Sequence, residues 1–158
     1  MLNILIMAGG RGERFWPKSR MDNPKQLLNL TGTDSMIRET VRRVAELTAP
    51  ANIFIATNEL YAAAIKDQLP EIPAGNFILE PEGRNTAPCI GLASLFIEAL
   101  DPAGVTAVLA SDHIIKDSAE FRRVLRKGAA VAEETGGIVT LGIKPDRAET
   151  GYGYIKLG

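Results

Sequence analysis

Short apolar runs alternate along this chain with longer stretches in which apolar positions recur every three or four residues. Leu2–Met7, Ile53–Ala56, Phe77–Leu79, Val105–Ala110 and Ile138–Ile143 read as strands, and Tyr152–Leu157 as a sixth. Leu2–Met7 is the most apolar of them, as expected of a strand buried on both faces. Between the strands lie helical patterns. Ser35–Leu47 places Met36, Ile37, Val41, Val44, Ala45 and Leu47 on one side and Arg38, Glu39, Arg42, Arg43 and Glu46 on the other, with Asp34 or Ser35 as cap. Asn58 precedes a helix over Glu59–Leu69 that Pro70 stops, and Thr86–Leu100 carries Pro88 in its first turn, where a missing N–H is tolerated. Asp117 or Ser118 opens a long helix to about Glu134, closed by Gly136-Gly137.

Strands alternating with helices predict an α/β fold of Rossmann-like, three-layer α/β/α type, with a mostly parallel sheet and right-handed crossovers. One domain over residues 1–158 is expected. The sixth strand pattern runs to within one residue of the end, which predicts a chain truncated from something longer. In such sheets ligands bind beyond the carboxyl ends of the strands, where the strand order reverses. Attention therefore falls on the loops 9–25, 80–85 and 111–113.

Charge adds a local feature rather than a global one. Eighteen basic and nineteen acidic residues leave a net charge of −1, which argues against a general nucleic-acid surface. From Gly9 to Gln26, however, five cations face two acids, a local net of +3 on a glycine-rich turn. The single cysteine, Cys89, forbids an intrachain disulfide and reads as a small buried hydrophobe. With no apolar run near the ~20 residues of a membrane helix and no signal-peptide pattern, a cytoplasmic protein without membrane contact is expected.

Ala8-Gly9-Gly10-Arg11-Gly12-Glu13-Arg14 follows the first strand, with Pro24-Lys25 close behind. Glycines let backbone N–H groups close on a polyphosphate, and arginines add charge-assisted hydrogen bonds. The spacing is not that of a Walker A loop. It also lacks the third small residue of the dinucleotide fingerprint, since Phe15 stands where that residue belongs, and this excludes a dinucleotide-dependent oxidoreductase. Phe15 and Trp16 are expected to pin the loop to the core rather than to stack on a base, and Lys18 and Arg20 to be solvated.

The run Ala8–Pro17 with Pro24-Lys25-Gln26 resembles the signature of the sugar nucleotidyltransferases. Glu80-Pro81-Glu82-Gly83-Arg84-Asn85-Thr86-Ala87-Pro88 resembles the type that uses guanine and mannose 1-phosphate, the mannose-1-phosphate guanylyltransferases. The resemblance implies the nucleotide-diphospho-sugar transferase fold and the reaction of GTP with mannose 1-phosphate to GDP-mannose and pyrophosphate. By resemblance, Ala8, Gly9, Gly10 and Gly12 contact the phosphates, Arg11, Arg14 and Lys25 neutralise them, and Arg14 and Lys25 are catalytic. Guanine offers two adjacent N–H donors, so a carboxylate suits it, and Glu80 is the candidate acceptor. Asn85 and Thr86 bond the base or cap the helix, with Pro88 beside them. Gly91 leaves room for the base ring or serves helix–sheet packing. Arg84 is a phosphate or sugar contact, or simply exposed.

Asp112, after the fourth strand, matches the family's Mg²⁺ aspartate, and Mg²⁺ is typically held by one or two carboxylates plus substrate phosphates. The family's second metal aspartate lies beyond Gly158. His113 is a neighbour of the site or merely structural. Gly151 and Tyr152, in Glu149–Ile155, resemble the sugar-side loop, with a plain glycine turn as the other reading. A homodimer is allowed for. The alternatives are a related enzyme with another base or hexose, and a nucleotide-binding regulatory domain without turnover.

Overall fold

A computed structural model describes residues 1–10, 16–20, 24–30 and 33–156. Four parallel strands, β1 (Leu2–Met7), β2 (Ile53–Thr57), β3 (Phe77–Leu79) and β4 (Val105–Ala110), form one sheet in the order β3-β2-β1-β4. The helices are α1 (Met36–Val44), α2 (Glu59–Gln68), α3 (Thr86–Leu100) and α4 (Ser118–Thr135).

Side chains of a strand alternate between faces, and the two faces here bury different sets. Ile4 and Ile6 of β1, Ile53 and Ile55 of β2 and Phe77 of β3 meet Ile37, Val41 and Val44 of α1, Tyr61 and Ile65 of α2 and Leu125 of α4. Leu5, Phe54, Ala56 and Ile78 meet Cys89, Ala93 and Ile97 of α3. Three helices therefore cover one face and α3 covers the other, the expected three layers. Both faces being covered explains why the strands read as apolar runs rather than as alternating patterns.

Helix ends follow local chemistry. Ser35 accepts from Arg38 N at 3.4 Å, Asn58 from Tyr61 N at 3.1 Å and Asp117 from Glu120 N at 2.8 Å. Gly136 closes α4 in the left-handed region at φ 64°, where L side chains are strained. Between the two candidates at each end, Ser35 and Asp117 are thus the caps.

Residues 138–156 depart from expectation. Ile138–Ile143 forms no strand and Ile138 is 99% exposed, although Leu141 and Val139 lie against Gly128 of α4. The described part of the sixth pattern, residues 152–156, is likewise not a strand, and Leu157 lies outside the described residues. A strand exists only when a neighbour completes its hydrogen bonds, and no described residue does so here. Helix α1 also stops at Val44, short of Leu47.

Candidate functional site

The chain runs β1, β2, β3 to one side and then crosses back to place β4 against the other side of β1. The order therefore reverses between β1 and β4, and the candidate residues lie beyond the carboxyl ends of these strands. Ser111 N bonds Met7 O at 3.2 Å, which ties the start of the 111–113 loop to the start of the glycine turn.

The turn after β1 is anchored by its carbonyls. Ala8 O accepts from Gln26 Nε2 at 2.8 Å and Thr57 Oγ1 at 3.2 Å, and Gly9 O from Asn58 Nδ2 at 3.4 Å. In a planar trans peptide the N–H points opposite to the C=O. The Gly9 and Gly10 N–H groups are therefore turned away from these partners, the orientation an anion-binding turn needs. Gln26 and Thr57 carried no assigned role in the sequence, and Asn58 only that of a helix cap. Their signal was readable: polar residues directly after an apolar strand or after Pro-Lys, all but Asn58 buried.

Gln26 also sets Lys25. Pro24, at φ −70°, opens a single 3-10 turn over Lys25–Leu27 that rests on α1 through the bond from Met36 N to Leu28 O. With Gln26 turned inward, Lys25 Nζ reaches Asp112 Oδ2 at 3.0 Å. The candidate catalytic lysine and the candidate metal aspartate, 87 residues apart in sequence, thus meet. Behind Asp112, Thr40 Oγ1 of α1 lies 3.3 Å from Ser111 O.

Glu80 follows β3, its N–H bonding Thr57 O at 2.7 Å. Its side chain is buried, at 8% exposure, and runs under the glycine turn: a Cβ on Gly9 would stand 2.6 Å from Glu80 Oε2. A methyl at position 9 would therefore force the Glu80 carboxylate to move. Cys89, in the first turns of α3, is buried beside this carboxylate. Burial, and then the Glu80 charge and hydrogen bond, push its thiol from 9.0 to about 11.

Asn85 precedes α3 at φ 66°, ψ −164°, a region populated almost solely by glycine, and its side chain makes no capping bond. The capping reading of Asn85 is thereby corrected: capping side chains work from an extended backbone, which Asn85 does not adopt, and its side chain makes no bond to the helix. Thr86 and Pro88 stand exposed on the first turn of α3. Gly91 is exposed and a Cβ there would meet nothing within 4 Å, so helix–sheet packing does not require glycine. Among the described residues Gly10 is open in the same way. Arg84 pairs with Glu82 at 2.7 Å on the surface, and His113 is exposed.

Trp16 departs from expectation. It is 77% exposed on a surface turn and belongs to neither apolar cluster, so it does not pin the loop. Arg11, Gly12, Arg14 and Phe15 lie outside the described residues. Gly151 and Tyr152 sit in a loop closed on itself. Tyr154 Oη accepts from Glu149 N at 2.7 Å, Glu149 Oε1 accepts from Gly151 N at 3.0 Å, and Tyr152 is 76% exposed. The structure does not bring these two residues to the glycine turn. Among the described residues no three His, Cys, Asp or Glu side chains gather to hold a metal, and no helix is long and apolar enough to cross a membrane.

A family model described as nucleotidyl transferase matches residues 3–158. The chain belongs to the nucleotidyl transferase family. It is 45% identical over 160 residues to a mannose-1-phosphate guanylyltransferase of Salmonella montevideo, covering 100% of this chain and 33% of that protein. It is 46% identical to the xanthan biosynthesis protein XanB of Xanthomonas campestris pv. campestris strain ATCC 33913, over 98% of this chain and 33% of that one. The chain thus spans about a third of the length of these relatives. A solved structure described as a mannose-1-phosphate geranyltransferase from Thermus thermophilus superposes with a TM-score of 0.75 at 35% identity, over 84% of this chain and 38% of that chain. The fold is also shared with a thymidylyltransferase-like protein of Bacillus anthracis, at TM-score 0.64 and 21% identity. Substrates of this nucleotidyl transferase family are a nucleoside triphosphate and a sugar 1-phosphate, and its members generally use a divalent metal.

Proposed function

We propose that this chain serves a mannose-1-phosphate guanylyltransferase reaction. An oxygen of the sugar phosphate attacks the α-phosphorus of GTP. The bond from that phosphorus to the bridging oxygen breaks, and pyrophosphate leaves with the electron pair, giving GDP-mannose. Little covalent work falls to the protein in such a transfer. Positioning and charge stabilisation carry it.

The observation that carries this reading is the meeting of Lys25 and Asp112 at the strand-order reversal, beside a glycine turn whose N–H groups are turned outward. Ala8, Gly9, Gly10 and Gly12 line the phosphates in this reading. Arg11, Arg14 and Lys25 offset their charge, with Arg14 and Lys25 acting on the α-phosphate. Glu80 accepts from the two N–H donors of guanine, bordered by Asn85, Thr86, Pro88 and Gly91. The strained backbone at Asn85 supports a role there, since such strain is concentrated at functional sites.

Asp112 contributes one carboxylate, and Mg²⁺ is typically held by one or two carboxylates plus substrate phosphate oxygens. Asp112 would hold Mg²⁺ in that way, and the ion would supply charge neutralisation at the phosphates. Lys25, released from Asp112, would then turn to the phosphates. Gly151 and Tyr152 are assigned to the hexose side, and the likeness to relatives named for mannose 1-phosphate supports that sugar.

Glu80→Gln tests the base assignment. An amide keeps one acceptor but sets its NH₂ against the second of guanine's donors, so the ratio of GTP to ATP affinity should fall about tenfold, the scale of a hydrogen bond to a charged group. Calorimetric titration of both nucleotides reads this, and an unchanged ratio removes Glu80 from base recognition.

A further inference from the structure

The reaction gives Gln26 no task, yet its side chain is buried, at 3% exposure, and donates to Ala8 O at 2.8 Å from 18 residues away. Burying an amide is costly, and an apolar side chain of similar volume would fill the same space. Satisfying the carbonyl is a weak reason for it, because Ala8 O also accepts from the buried Thr57 Oγ1 at 3.2 Å. The bond has two other consequences. Ala8 C=O and Gly9 N–H belong to one planar trans peptide, so drawing the carbonyl inward aims the Gly9 N–H outward. Gln26 is also the middle residue of the 3-10 turn Lys25–Leu27, which Leu28 N closes on Lys25 O at 3.0 Å. Successive side chains of such a turn diverge by about 120°. Holding Gln26 inward therefore fixes the direction in which Lys25 leaves the turn, toward Asp112 Oδ2 at 3.0 Å.

We propose that Gln26 is a positioning residue: through its one buried bond it holds the Gly9 N–H and the Lys25 ammonium, which come from separate segments, in fixed relation for a single triphosphate. Gln26 itself touches no substrate and acts through these two groups. The proposal rests on the phosphate-seat reading of the glycine turn and adds to it the residue that joins the turn to the lysine. Thr57 shares the Ala8 carbonyl but belongs to β2 and not to the turn that carries Lys25, so it supplies the natural contrast.

The test is a double-mutant cycle on the whole chain. Gln26→Met removes the donor at nearly matched volume, Lys25→Ala removes the cation, and a third protein carries both. Mg²⁺–GTP affinity is read by calorimetry, with thermal melting alongside. Gln26→Met should weaken GTP about tenfold in the otherwise unsubstituted chain and only about threefold in the Lys25→Ala background, because residues that act as a unit are not additive. Thr57→Val, which takes the other donor from the same carbonyl, should cost no more than about threefold. A Gln26 that merely fills the core would lower the melting temperature and leave GTP affinity in place, and that result overturns the proposal. So does an equal loss from Gln26→Met in the two backgrounds, or a tenfold loss from Thr57→Val, since either assigns the effect to the carbonyl without the lysine. If Lys25→Ala leaves GTP affinity unchanged, the phosphate-seat reading itself fails and the role of Gln26 fails with it. Should Gln26→Met melt below the assay temperature, the same cycle is run in the cold with Gln26→Leu.

Discussion

The glycine turn with its surroundings and the loop at 147–154 are both candidate substrate contacts, yet they are built differently. At the turn, every carbonyl from Ala8 to Gly9 has a side-chain partner from another element, and Glu80 is packed beneath. In the loop, Tyr154, Glu149 and Gly151 bond to each other, and Tyr152 and Ile155 are 76% and 72% exposed. The first region is held by the sheet and the second by its own sequence neighbours. Preorganisation for a charged ligand requires groups fixed before binding, and long-range anchors supply that. The proposed nucleotide side meets this requirement among the described residues and the proposed sugar side does not.

The largest expected effect lies at the centre of the anchored region. Lys25→Ala should weaken Mg²⁺–GTP binding by about 10- to 100-fold, as for loss of a hydrogen bond between charged groups. The fold should tolerate it, since the Lys25–Asp112 pair is partly exposed, at 17% and 39% for the two side chains, and such pairs add little stability. Calorimetry and thermal melting separate the two quantities. Equal affinity in both proteins would remove the lysine from the phosphate site and the contrast with it.

Much of this anchoring was legible in sequence, for definable reasons. Burial on both faces wrote β1 as Leu2–Met7, and Asn58, Asp117 and Gly136 mark helix ends because their side chains or backbone freedom do the capping. Gly9, Glu80 and Asp112 were visible as glycine or acidic positions just after apolar strand runs, and Lys25 through the family signature around Pro24. What was hidden is pairing. Nothing local says that Lys25 reaches Asp112, or that Gln26 turns in to bond Ala8 O while its neighbour turns out. Ile138–Ile143 failed for the converse reason: its residues suit a strand, but a strand needs a partner. Trp16 misled because size and apolarity suggest burial, whereas position on a turn decides it.

Two glycines of the turn sharpen the comparison at a smaller scale. Gly9→Ala puts a methyl within 2.6 Å of Glu80 Oε2, so the carboxylate or the β1 end must shift. Overpacking of this kind costs about 1–3 kcal/mol, and the melting temperature and GTP affinity should fall together. Gly10→Ala meets nothing within 4 Å among the described residues. It should leave the melting temperature in place and weaken GTP alone, because the methyl occupies the space a phosphate approaches. Melting curves and titrations of the two variants decide the matter. Loss of stability in both, or in neither, would mean that Glu80 does not lean on Gly9.

The smallest effect belongs to the locally closed loop. Tyr152→Ala removes a ring that is 76% exposed and on which no described hydrogen bond depends, since the loop is closed through Tyr154 instead. Exposed substitutions of this sort usually change stability by no more than about 0.5 kcal/mol. Melting temperature and GTP affinity should therefore be unchanged within error, while any mannose 1-phosphate binding the chain shows should weaken. The sign of that difference matters more than its size. A fall in GTP affinity comparable to that of Gly9→Ala would place Tyr152 on the nucleotide, and the two regions would be one site held together by ligand rather than by the sheet.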